Sequence, residues 1–426
     1  MTRLADLNNE ALSALAEQLE QELELVSGNR LSLDLTRGKP DAEQLDLSNG
    51  LEAAIGGNYI ASDGTDTRNY GGLRGIPEAR ELGAEIMEVP AEQIICWGNS
   101  SLSLMYLSVD LLMESGIWGD ARRWGATDAP KLLTPVPGYD RHFVLTERLG
   151  LGMINVAMND AGPDMDAVCK LVGDDASIKG IWCVPKYSNP TGCTYSDEVV
   201  ARIAELPDVA AADDFVVLWD NAYAVHDFQF PRRPLANLLE LAERAGTADN
   251  VLLFASTSKI THASGGLGFV AGSPATLNAL EARLSASSVG PDKVNQLRHA
   301  RFLGGRVEEH MANHAAIVKP KFEAVQQVLD QELSDLDIAT WTKPEGGYFV
   351  SLDVRPGLAG TIGKLAADIG LALTPPGATF PYKDDPQDRN LRIAPTFAKL
   401  EDIKTAMEVL VLCVKIATIR DEISKR

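Results

Sequence analysis

Between residues 94 and 275 the chain repeats one pattern: a short apolar run, a polar turn, then a helical stretch. The runs are Ile94-Ile95-Cys96-Trp97, Lys131-Leu132-Leu133, Ile181-Trp182-Cys183-Val184, Val216-Val217-Leu218-Trp219 and Val251-Leu252-Leu253-Phe254. None alternates apolar with polar, as a strand with one wet face would, so both faces of these strands are covered. Strands interleaved with helices in this way predict a parallel α/β sheet whose ligand crevice lies outside the strand C-termini. Upstream, Leu7, Leu12, Leu15, Leu19, Leu23 and Leu25 recur at near-helical spacing among Glu and Gln. They predict an amphipathic leading helix over residues 7 to 26 that packs on a partner surface. Residues 292 to 336 hold little glycine and read as one or two long helices that carry the chain into a second domain. There the pattern is mixed: a strand-like run from Gly347 to Leu352, a helix near 362, a Pro/Gly turn at 375 to 377, then Leu391-Arg392-Ile393 and a final helix.

Composition narrows the function classes. A chain of 426 residues, 45% apolar and 23% charged, is an ordinary globular protein of about two domains. Lys and Arg total 39 against 60 Asp and Glu, a formal charge of −21 that repels nucleic acid and anionic lipid. Any anionic ligand must therefore be met locally by Arg, Lys or backbone N–H groups. The five cysteines are scattered and never spaced C-x-x-C, which suggests neither a disulfide framework nor a zinc site and points to a reducing cytoplasm. The N-terminal stretch has early acidic residues and no apolar core, and no segment reaches the about 18 apolar residues of a membrane span, so a soluble, unexported protein is expected.

Four polar groups follow four of the apolar runs. Trp97-Gly98-Asn99-Ser100-Ser101 opens a helix, and free N–H groups at a helix start bind phosphate; an ordinary Ser cap reads the same way. Tyr187-Ser188-Asn189-Pro190-Thr191-Gly192 is a turn that also presents an amide at the sheet's edge. In Asp220-Asn221-Ala222-Tyr223 an apolar strand ends in a carboxylate, which either caps the next helix or pairs with a cation such as a pyridinium N–H. Ser256-Thr257-Ser258-Lys259 precedes a Gly-rich stretch; a lysine there is a solvated surface charge or, if crowded, an amine nucleophile.

The order N-P-x-G, D-x-x-Y, S-x-S-K and a late Arg resembles the class I, fold-type I aminotransferases over nearly the whole chain. Gly38 in Arg37-Gly38-Lys39-Pro40, Tyr70 with Gly75-Ile76-Pro77, Pro137-Gly138-Tyr139 followed by His142, Pro376-Gly377 and Leu391-Arg392-Ile393-Ala394 extend the match. The wording Thr-Pro-Val-Pro-Gly-Tyr-Asp-Arg-His and Ser-Thr-Ser-Lys-Ile-Thr is similar to a bacterial subgroup of aspartate aminotransferases. The resemblance implies a large domain over 48–310 with a mostly parallel seven-stranded sheet, a smaller α+β domain over 311–426, and an N-terminal segment, 1–47, that joins the small domain. It implies pyridoxal 5'-phosphate as cofactor, amino acids and 2-oxo acids as substrates, and a homodimer.

Carried over residue by residue, the resemblance makes Lys259 the covalent anchor and proton shuttle. Asp220 pairs with the pyridinium nitrogen, with His142 supporting it from behind. Asn189 and Tyr223 bond the cofactor's phenolate oxygen, and Tyr139 stacks on its ring. Gly98, Asn99, Ser100, Ser256 and Ser258 hold the phosphate, with Tyr70 from a second subunit. Arg392 and Gly38 take the substrate α-carboxylate. Two positions depart from the family pattern: Leu267 stands where an Arg usually meets the phosphate, and Leu284 where a partner's Arg usually meets a distal carboxylate. Arg141 first, and Arg37 second, are the expected substitutes. The readings carried forward are transamination from aspartate to 2-oxoglutarate, an aminotransferase for aromatic or neutral donors, a β-lyase on the same core, and an effector-sensing regulator. The regulator would need a basic DNA-binding module for which this acidic chain has no spare length.

Overall fold

The computed structural model describes residues 7–27 and 31–426, which fold into two compact units. One comprises the described residues up to Asp41, the short segment Asn189–Gly192 and Ala316–Arg426; the other comprises Ala42–Ser188 and Cys193–Ala315.

The second, larger unit is built on one sheet. In chain order its strands are β1 Ile94–Cys96, β2 Lys131–Val136, β3 Gly152–Asn159, β4 Gly162–Pro163, β5 Ile178–Cys183, β6 Val216–Asp220, β7 Val251–Ser256 and β8 Gly268–Ala271. Across the sheet they lie in the order β1-β8-β7-β6-β5-β2-β3-β4. From β7 to β3 every pairing is parallel. β8 is antiparallel to both β7 and β1, so β1 points the same way as the parallel set. The expected seven-stranded, mostly parallel sheet is present, and the two-residue β4 adds an antiparallel edge.

The core explains why the apolar runs do not alternate. β5 and β6 are buried at every position. Successive side chains feed opposite cores: Ile181, Val217, Trp219 and Leu253 lie on one face, and Trp182, Val216, Leu218 and Leu252 on the other. Each large side chain so buried contributes roughly 1.5–3 kcal/mol. β5 starts three residues before the apolar run seen in the sequence, because Gly180 interrupts that run. A Cβ there would lie 2.3 Å from the Val216 carbonyl oxygen of β6.

Asp292 to Leu336 resolves into two helices, Lys293–Leu303 and Val307–Leu333, separated at Gly304-Gly305, where Gly305 has φ +69°. In the smaller unit β9 Ala339–Trp341, β10 Val350–Val354 and β11 Asn390–Ile393 form an antiparallel sheet in that order, and Leu33–Asp34 pairs in parallel with Leu371–Ala372. β10 begins later than the sequence pattern predicts, since Gly347 turns the chain at φ +78°. The leading helix, Asn9–Ser27, packs on the helix Leu400–Ser424 of its own chain, burying Leu12, Ala16 and Leu19. No helix among the described residues is long and apolar enough to cross a membrane.

Candidate active site

In the larger unit the polar groups sit where strands of the parallel set end. β6 ends on Asp220, 1% exposed, whose Oδ2 accepts from His142 Nε2 at 2.9 Å. His142 is held from three directions. Its ring stacks on the Trp182 indole of β5 at 4.2 Å and 11°, Trp182 Nε1 donates to Thr146 Oγ1 at 2.9 Å, and Thr146 Oγ1 donates back to the His142 carbonyl at 2.7 Å. Tyr139, which precedes the helix Asp140–Arg148, meets the other side of the imidazole edge-on at 5.0 Å. Asp220 Oδ1 is buried and has no hydrogen-bond partner among the described residues. A carboxylate oxygen left so costs on the order of 1–3 kcal/mol or more, so the position calls for a donor, and a protonated ring nitrogen such as that of pyridoxal phosphate fits it.

β7 ends at Ser256, and the chain turns through Lys259. Thr257 N donates to the Leu267 carbonyl at 2.9 Å, Leu267 N to Thr257 Oγ1 at 2.8 Å, and Ile260 N to the Thr257 carbonyl at 2.9 Å. Lys259 Nζ lies 5.0 Å from the centre of the buried Tyr223 ring. Burial pulls its ammonium below the ordinary lysine value, and the Asp220 carboxylate opposes that shift.

After β1, Gly98 takes φ +67° and Ser100 caps the helix Ser101–Glu114, its Oγ accepting from Leu102 N at 3.2 Å. Asn99 Nδ2 donates to the Ser264 carbonyl at 2.9 Å, and Ser258 Oγ donates to the Asn99 carbonyl at 3.1 Å. The structure thus joins Asn99, Ser100 and Ser258 around one helix start. Leu267 is 1% exposed in the core, so the side chain at this departure from the family pattern is a packing residue.

In the smaller unit Arg392, on β11, is 8% exposed. Its Nη1 donates to Asn189 Oδ1 at 3.2 Å, its Nε to Thr374 Oγ1 at 3.3 Å, and its guanidinium lies 4.8 Å from the Phe349 ring centre. Thr374 Oγ1 donates in turn to the Thr36 carbonyl at 3.1 Å. Gly38 passes so close to the same ring that a Cβ would stand 2.2 Å from Phe349 Cζ. Arg392, Asn189 and Gly38 therefore form one group.

Other expected residues stand apart. Arg37 is exposed; the Arg141 side chain is 58% exposed, with Asp140 4.0 Å away. Tyr70 is 84% exposed, on a loop whose Tyr70 and Gly71 carbonyls accept from Lys293 Nζ at 3.0 and 2.7 Å. Leu284 is buried in the helix Pro274–Ser285, beside an Arg283 already paired with Asp110 and Glu114. Trp182, Thr146, Phe349 and Thr374 hold functional side chains in place, and no motif in the sequence marks them for that role.

The sequence model of the aspartate amino-transferase family matches residues 7–426. An aspartate aminotransferase of Corynebacterium glutamicum is 42% identical over 422 residues, 97% of this chain and 96% of that one. A Mycolicibacterium smegmatis relative, 45% identical over 96% of this chain and 97% of its own, has a name that offers aminotransferase activity as a surmise and gives no substrate. The crystal structure of an aspartate transaminase from Corynebacterium glutamicum superposes with a TM-score of 0.95 at 41% identity, covering 99% of each chain. The shared family, the fold and the orphaned carboxylate oxygen beside a crowded lysine agree: this chain belongs to the aspartate amino-transferase family of fold-type I, pyridoxal-phosphate-dependent aminotransferases.

Proposed function

We propose that this chain is an aspartate aminotransferase. Holding pyridoxal 5'-phosphate on Lys259, it moves the amino group of L-aspartate to 2-oxoglutarate in two half-reactions and yields oxaloacetate and L-glutamate. The observation that carries the chemistry is Asp220, one oxygen held by His142 and the other buried without a partner. Aspartate as donor is supported by the Corynebacterium glutamicum relative of that name.

When bound, the cofactor supplies a ring that accepts the electron pair left when the substrate Cα loses its proton. Asp220 keeps a proton on the ring nitrogen, and the fixed His142 keeps Asp220 in place. Lys259 Nζ, whose neutral amine burial favours, takes the proton from Cα and delivers it to the carbon that receives it. Tyr223 and Asn189 donate to the phenolate oxygen, and Tyr139 covers the ring face. Backbone N–H groups at Gly98, Asn99 and Ser100 and the hydroxyls of Ser256 and Ser258 take the phosphate, with Tyr70 donated by a second copy in a homodimer. Arg392 grips the α-carboxylate with two parallel N–H bonds, helped by the Gly38 N–H. Arg141, or failing that Arg37, meets the distal carboxylate. The reaction runs in the cytoplasm.

One observation favours a second reading. Leu284 is packed in the core and offers no cation, which suits an aminotransferase for aromatic or neutral donors.

Borohydride reduction of the purified holoenzyme, followed by peptide mapping, tests the anchor; a label on any other lysine refutes it. Lys259→Ala should abolish transamination and leave the fold intact. A panel of amino donors against 2-oxoglutarate tests the substrate. Preference for aromatic or neutral donors would refute aspartate and leave the aminotransferase standing.

A further inference from the structure

The turn that carries Lys259 belongs neither to β7 nor to a helix, so its carbonyls need partners from elsewhere. They find them in histidines. His226 Nε2 lies 3.3 Å from the Lys259 carbonyl oxygen, and His310 Nε2 and His314 Nε2 each lie 2.8 Å from the Ile260 carbonyl oxygen. All three rings are buried, at 5%, 8% and 3% exposure. His310 and His314 are one turn apart on the helix Val307–Leu333, which aims both rings at the same point.

A carbonyl accepts through its lone pairs, so each Nε2 here is an N–H donor. For His314 the tautomer is fixed from behind: the fully buried Gln44 Nε2 lies 3.4 Å from His314 Nδ1, which must therefore accept. His226 reaches the same turn from another element. Its ring packs edge-on against Tyr223 at 5.6 Å, and the Tyr223 ring is the one beneath Lys259 Nζ. One donor would satisfy a buried carbonyl, and two converge on Ile260. The chain has 6 histidines, and three of them close on two successive carbonyls at its crowded lysine.

We propose that His226, His310 and His314 are positioning residues that clamp the Lys259-Ile260 backbone and so aim Lys259 Nζ. The inference rests on the reading of Lys259 as the cofactor anchor. Rigid rings locked by packing fix the two carbonyls, and with them the direction of the Lys259 Cα–Cβ bond. An error of about 1 Å in placing a reacting atom costs on the order of 100-fold in rate.

The test uses His310→Leu/His314→Leu, which removes both donors, beside His310→Gln/His314→Gln, which keeps an amide N–H of similar reach. In cofactor-free protein the first readout is amide hydrogen exchange over residues 257–262. The second is the rate at which added pyridoxal 5'-phosphate becomes fixed to Lys259. There the amine condenses with the aldehyde, releasing water, and borohydride reduces the C=N bond to a secondary amine. The Leu pair should exchange faster and link about tenfold more slowly. In the holoenzyme kcat should fall by about the same factor with KM for the amino donor unchanged, since the donor contacts proposed above are made by other residues. The Gln pair should recover most of each loss. If the Leu pair does not fold, His226→Phe, which removes the donor to the Lys259 carbonyl alone, carries the same measurements. Wild-type rates in the Leu pair or in His226→Phe, or Gln variants as impaired as Leu, would overturn the clamp. Labelling of a different lysine in wild type would instead overturn the anchor on which it rests.

Discussion

His299 sits 1% exposed on the helix Lys293–Leu303, its Nδ1 donating to the Asn295 carbonyl at 2.9 Å and its Nε2 lying 3.0 Å from Thr261 Oγ1. A second proton would have to go onto Nε2, away from water. Burial opposes the charge, and the imidazole titrates at about 4 in place of the usual 6.5. An unfolded chain takes up this proton near pH 6.5 and the folded chain only near 4. The contribution to stability is therefore whole above 6.5 and is lost as pH falls towards 4. At about 1.4 kcal/mol per pH unit, the loss from this one group reaches about 2 kcal/mol by pH 5 and about 3 kcal/mol by pH 4. His226 adds to it in the same direction, since burial above all holds it down to about 3.

His299→Met removes the titration and keeps a buried apolar side chain. Urea unfolding midpoints of wild type and variant should be compared at pH 7.5 and pH 5 at one ionic strength. Wild type should lose about 2 kcal/mol more than the variant over that interval, because His226 and every carboxylate are common to both. Parallel losses in the two proteins would refute the reasoning, and would mean that His299 is protonated in the folded chain well above pH 4.

Three further outcomes follow from the proposed site. Mixing Tyr70→Phe subunits with Lys259→Ala subunits should give hybrids with one doubly defective and one intact site; recovered activity no higher than that of the unmixed variants would count against a shared site. Arg141→Ala, or failing that Arg37→Ala, should lower kcat/KM for aspartate and glutamate by orders of magnitude and spare alanine, and unchanged aspartate activity in both would sink the dicarboxylate reading. Arg392→Lys keeps the charge but loses the second prong and the Phe349 stack, together roughly 2–4 kcal/mol, so kcat/KM should fall at least about 30-fold; a loss under about threefold would show that the two-pronged grip is not used.

The strands legible in the sequence were those buried on both faces. β6 and β7 read directly because both faces are apolar until the strands end at Asp220 and Ser256. β3 and β8 escaped for opposite reasons. β3 lies towards the sheet's edge with mostly half-exposed positions, so its apolar signal is diluted. β8 follows Gly265-Gly266 and is only four residues long, and it is buried because it lies inside the sheet between β7 and the distant β1. The leading helix was legible as amphipathic, but its covering surface was not. Which of several apolar faces meets Leu12 and Leu19 is decided by the far end of the chain, at Leu400–Ser424.

Legibility of the site divides by what a residue does. Lys259, Asp220 and Arg392 stood out because the roles proposed for them admit few substitutes: a nucleophilic amine, a carboxylate for a protonated ring nitrogen and a planar two-pronged cation. The residues proposed to hold them have many substitutes: Trp182 behind His142 leaves no motif in the sequence, and the one-turn spacing of His310 and His314 does not by itself point to the distant Lys259 turn. Leu267 shows how far a packing demand reaches into a functional position. Thr257 bonds both backbone groups of Leu267, which turns its side chain into the core, where a leucine is 1% exposed and an arginine would bury its charge. On the proposed reading, therefore, no cation reaches the phosphate from Leu267. In the proposed site the phosphate is met by backbone N–H groups at the helix start after β1 together with hydroxyls, and these depend less on a charge than on geometry. The Asn99–Ser264 and Ser258–Asn99 bonds fix this helix start to the Lys259 turn, and in the proposed site they do the positioning that an arginine would otherwise share.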